Sequence, residues 1–95
     1  MELTDRENLL IRHCISVVIY DGNYEWKENE RERTRKLCAH LYSHNDIETD
    51  DNCRLANVVL GKVISRLCHL SPFKEFKLLR KNLCELIKKL NSFVF

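Results

Sequence analysis

The chain has 95 residues, 44% of them hydrophobic, with 16 Lys plus Arg against 14 Asp plus Glu and only two glycines and one proline. The length suits one domain, 1–95, of a size that buries roughly two-thirds of its unfolded surface. Sandwiches, barrels and doubly wound sheets need many turn residues, so a supply of Gly22, Gly61 and Pro72 argues against them, and average apolar content with a net charge of +2 argues against disorder.

Thr4-Asp5-Arg6-Glu7 has the form of a capping box: the threonine hydroxyl accepts from the amide three residues on, and the glutamate reaches back. Behind it Leu10/Ile11, Cys14/Ile15 and Val17/Val18 recur at helical spacing, which predicts a first helix closed just past its end by Gly22. A β-hairpin at 15–27 is the rival reading. Ile15 to Tyr20 is rich in β-branched residues, Asp21-Gly22 is a turn signal, and Tyr24 to Lys27 alternates. The cap and the long i, i+4 run favour the helix.

The second helix is expected to begin around Tyr24 and to carry Glu28/Arg31, Glu30/Arg33, Glu32/Arg35 and Glu32/Lys36 as pairs on its own surface. Its apolar face appears late, at Leu37, Cys38, Leu41 and Tyr42, so the charged first half should project beyond the core. Ser43 to Asp51 reads as a loop whose acids favour the positive end of the next helix. That third helix, about 50–69, is apolar around most of its circumference and belongs at the centre. Gly61 and Ser65 lie on its narrow polar stripe, suited either to a close helix crossing or to solvent.

Ser71-Pro72 is a start signal for a fourth helix running to about Asn91. Phe76, Leu79, Leu83, Leu86, Leu90 and Phe93 form a heptad seam along it, and Lys74, Lys77, Lys81 and Lys88 occupy the other face. The expected fold is therefore all-α, a compact bundle of about four helices.

Charge is spread unevenly. Residues 1–22 hold two basic and four acidic side chains, whereas 72–95 hold six basic and two acidic. The five cysteines form no Cys-x-x-Cys pair and fall one to an apolar stretch, as buried thiols do in a reducing compartment. With no basic-then-apolar leader after Met1 and no run long enough to span a bilayer, the expectation is an intracellular chain, cytoplasmic or nuclear, without a membrane partner.

Catalytic signatures are missing: there is no phosphate loop, nucleophile elbow or His-Glu-x-x-His. His40 and His44 are i, i+4 and could face one ion, but no zinc spacing accompanies them. Neither a cofactor nor a metal is expected. Two binding functions remain. The favoured one is a non-catalytic protein–protein interaction or assembly module, a homodimer or half of a heteromer, docking a second helix on Phe76, Leu79, Leu83, Leu86, Leu90 and Phe93. The apolar tail from Phe93 to Phe95 points the same way. The alternative is a helical dimer that grips RNA or DNA phosphates with Lys74, Lys77, Lys81 and Lys88, helped by Arg31 and Arg35. No aromatic is interleaved with those lysines to stack on bases.

Overall fold

The computed structural model describes residues 1–67 and 74–94, with side chains for 1–67 and 76–92. Its helices are α1 (Asp5–Ile19), α2 (Glu30–Ser43), α3 (Asp50–Leu67) and α4 (Lys74–Val94). Extended pairing among the described residues is a single antiparallel bridge between Glu2 and Asp46.

The capping box forms as the sequence requires: Glu7 N donates to Thr4 Oγ1 at 3.1 Å, and Thr4 N donates to Glu7 Oε1 at 2.8 Å. The hairpin at 15–27 does not form. Pairing as a strand would set Ile15, Val17 and Ile19 on one face. Instead Ile11, Ile15 and Val18 are fully buried while Val17 is exposed, a helical register. Gly22 is not the expected left-handed cap, because no glycine has positive φ. The helix ends on Tyr20, whose N–H donates to the Ser16 carbonyl, and Asp21 then forms an ion pair with Arg66 of α3.

Helix α2 starts six residues later than the sequence suggested. Tyr24 and Trp26 pack edge to face against the core, ring centres 4.6 Å apart. Asn29 is left-handed (φ 57°), a conformation asparagine tolerates better than most residues, and it separates this aromatic segment from the helix. The charged half of α2 does not project. Glu30 and Thr34 are buried, and of the expected pairs within the helix Glu30/Arg33 is replaced by bonds from both residues to α3. Arg54 Nη1 reaches Glu30 Oε2 at 3.2 Å, and Arg33 Nη1 and Arg54 Nη2 reach Asp51 at 2.6 and 3.0 Å.

Helix α3 is the central element. Cys53, Leu55, Ala56, Val59, Leu60, Val63 and Leu67 are buried, and it packs on each of the other three helices. Its first turn carries Asp50 and Asp51, with Thr49 Oγ1 accepting from Asn52 N at 3.1 Å. Gly61 makes no close crossing: a Cβ there would meet nothing within 4 Å. Against α3 lies α4, which buries Leu83, Leu86 and Leu90 with Phe76, Leu79 and Ile87 at the margin. Ser71, Pro72 and Phe95 lie outside the described residues. Cys14 and Cys53 are buried thiols, Cys38 is half-buried, and Cys84 is exposed despite its position on an apolar stretch.

Candidate interaction face

The middle of the α4 heptad seam packs within the single chain. Leu83, Leu86 and Leu90 are spent on the core, Phe76 and Leu79 pack against its edge, and the Phe93 side chain lies outside the described residues. The apolar surface left open is elsewhere. Of the large hydrophobic side chains that stay exposed, Leu9, Val17 and Tyr20 belong to α1 and its cap, Tyr42 to α2, and Leu78 to α4. Tyr20 is 85% exposed and Tyr42 70%, values that leave nearly whole rings in water.

These tyrosines flank a groove between α1 and α2. Ile15, Ile19 and Cys38 are its buried or half-buried lining, and Tyr20, Tyr42 and Arg35 stand at its edges. Helix periodicity accounts for the arrangement. Leu37 and Leu41 point into the core, so Cys38 and Tyr42, each one residue on, turn about 100° toward α1. Tyr42 is held by a chain of contacts that begins in the core. Asn8 is 2% exposed and donates its amide N–H groups to the carbonyls of Leu41 and His44, both at 2.9 Å, and to Asn45 Oδ1 at 2.6 Å. Asn8 Oδ1 accepts from Arg12 Nε at 2.6 Å, and the Arg12 guanidinium lies 4.5 Å from the Tyr42 ring centre. A buried amide therefore satisfies the end of α2 and fixes the cation under the tyrosine. Tyr20 sits at the α1 C-cap, next to the Asp21–Arg66 ion pair.

The groove holds thiol rather than thiolate. Burial pushes Cys38 up, only partly countered by Arg12, and pushes buried Cys14 up to about 11. The basic groups lie apart from one another. Lys77, Lys81 and Lys88 are exposed on α4, while the Lys74 side chain is outside the described residues. Arg31 and Arg35 are exposed on α2, with Arg31 Nη2 donating to the Ile19 carbonyl at 3.5 Å and Arg35 at the groove edge. Both helices pack on α3, and among the described residues no comparable packing joins α2 to α4.

A second cluster forms where α2 ends. His40 Nε2 is 2.9 Å from Asp46 Oδ1, and the His40 and His44 rings stack with centres 4.4 Å apart and planes 1° from parallel. Donor atoms of His40, Asp46 and Glu48 all lie within 4.8 Å of one another. Sequence reasoning weighed the two histidines and missed the carboxylates, although Asp46-Ile47-Glu48 alternates polar, apolar, polar. It missed Asn8 as well, a polar residue in register with Ile11, Ile15 and Val18 on the buried face of α1. No helix among the described residues is long and apolar enough to cross a membrane. No protein-family model, curated protein or solved structure matches the chain.

Proposed function

We propose that this chain is a non-catalytic interaction domain that self-associates through the α1–α2 face, and not through the α4 seam. The observation that carries the reading is the pair of nearly bare tyrosines beside an apolar groove. Tyrosine and arginine are the residues most often found to dominate interface energies, and Tyr20, Tyr42, Arg12 and Arg35 stand together here. The face is also self-complementary. It offers a projecting aromatic side chain and a groove to receive one, which a two-fold contact uses twice. The free state of the four described cysteines fits a reducing compartment.

Light scattering at about 100 µM chain is expected to give about twice the 11.4 kDa chain mass. Tyr20→Ala combined with Tyr42→Ala should weaken the dimer at least about 30-fold, since a central tyrosine pair is worth roughly 2 kcal/mol or more. Leu78→Asp on α4 should leave it intact. A clean monomer, or a dimer indifferent to the tyrosine pair, refutes this assignment. Binding to double-stranded RNA that falls steeply with salt, and is lost in Lys77→Glu with Lys81→Glu, would instead favour phosphate recognition by α4.

A further inference from the structure

We propose that His40, Asp46 and Glu48 form a binding site for a divalent transition-metal ion of the zinc class. The site follows from two periodicities meeting. His40 lies in the last turn of α2, and beyond a bend at Asn45 the chain pairs at Asp46 and continues through Ile47 to Glu48. That segment is pinned from both sides of its bridge to Glu2: Leu3 N donates to Asn45 O at 2.7 Å, and Ile47 N donates to Met1 O at 3.0 Å. Side chains of an extended segment alternate, so fully buried Ile47 sends Asp46 and Glu48 outward on the same side, toward His40.

The His40–Asp46 pair on its own has an ordinary explanation, as a fastening between the helix end and the return segment. Glu48 does not share in it. No hydrogen bond or ion pair engages Glu48 among the described residues, yet its carboxylate is brought next to that of Asp46. Two carboxylates beside a neutral imidazole repel each other, and a cation held between the three donors relieves that repulsion. An ion 2.0–2.2 Å from each ligand needs donor atoms no more than about 4.3 Å apart. The donor atoms lie within 4.8 Å of one another, and Glu48 is exposed, so closing the set asks for a change of its side-chain rotamer only. One imidazole with two carboxylates is a borderline donor set, too nitrogen-rich for calcium or magnesium and suited to zinc, with water completing the coordination. His44 supplies no ligand: its ring is parallel to His40, with Nδ1 bonded to Ser43 Oγ at 2.8 Å, and the stack holds the His40 ring in orientation.

Isothermal titration of the full chain with zinc chloride, carrying Cys84→Ser to remove the thiol that is exposed among the described residues, tests the assignment. One equivalent is expected, with the His40 ring resonances shifted in the NMR spectrum. Glu48→Gln and Asp46→Asn should each weaken binding at least tenfold, while His44→Ala keeps the stoichiometry. Glu48 is exposed, so its variant should keep the wild-type circular dichroism spectrum. No binding at 1 mM zinc chloride, or binding unchanged in both carboxylate variants, overturns the site.

Discussion

Asn8→Ala is the substitution that tests most of the fold's logic at once. The side chain is 2% exposed, and it satisfies the carbonyls of Leu41 and His44 and accepts from Arg12. Removing it leaves the Leu41 carbonyl buried and unpaired, which costs about 1–3 kcal/mol. The half-exposed His44 carbonyl recovers water and adds little, whereas the small void left by the amide adds about 1 kcal/mol. A loss of about 2–4 kcal/mol results, against a total stability of about 5–14 kcal/mol for a chain of this length. In a domain this small that lowers Tm by about 10–30 °C. Asn8→Asp should be worse. It keeps the shape but turns the donor into an acceptor facing two carbonyls, and it sets negative charge at the negative end of α2, where Arg12 is the cation it contacts among the described residues.

Urea unfolding followed by circular dichroism at 222 nm measures both variants, as a lower midpoint at unchanged slope. An Asn8→Ala protein within about 0.5 kcal/mol of wild type, or an Asn8→Asp protein as stable as Asn8→Ala, would show that this amide does not secure the end of α2.

Two further outcomes follow from the packing of α2 and α3. Burial pushes the Glu30 carboxyl up, but Arg54 and the Lys27 N–H outweigh it and hold the group below the ordinary carboxylate range; Arg33, then Arg54, hold Asp51 down. Groups depressed in the folded state stabilise it above the unfolded carboxyl pKa of about 4 and lose that contribution as pH falls through their lower folded values. The urea midpoint should thus be level from pH 7 to 5 and fall between pH 4 and 2, less steeply in Glu30→Gln with Asp51→Asn; a midpoint that rises on acidification contradicts the pairing. Gly61→Ala should stabilise the chain by about 0.5–1 kcal/mol, because the position is within α3 and a Cβ there meets open space. A destabilised Gly61→Ala protein would mean that another surface covers α3 at that point.

The helices were legible because their signals are local. The Thr4–Glu7 box, the ring of apolar residues on α3 and the 3-4 spacing of Leu83, Leu86 and Leu90 each report a single element, and each is realised. What the chain conceals is which partner a residue finds across space. Glu30 and Arg33 have neighbours in sequence at ideal helical spacing, yet both bond to α3, because docking this face removes Glu30 from water and places Arg54 against its carboxylate, alongside the Lys27 N–H. Tyr42 follows Leu41 and looked like core. Its ring is instead kept outside by α1, which presents Arg12 to it and not an apolar side chain. The seam of α4 has the same spacing whether its partner is a second chain or α3.

The last turn of α2 serves three separate purposes at once, and helix geometry is what allows it. Leu41 points inward and closes the core. Tyr42, 100° around, forms one edge of the exposed groove. His40, on the remaining face, stacks on the ring of the C-cap His44 and meets Asp46 and Glu48. Asn8 holds the turn from beneath, through the carbonyls of Leu41 and His44. An ion held by His40, Asp46 and Glu48 would restrain this turn from the opposite side, tying it to the segment bridged to Glu2. Tyr42 is then presented by a turn fixed at both flanks, with less freedom to lose when a partner docks. Metal binding and self-association are in that case linked, and the linkage is reciprocal: whichever occupies its site first lowers the ordering cost of the other.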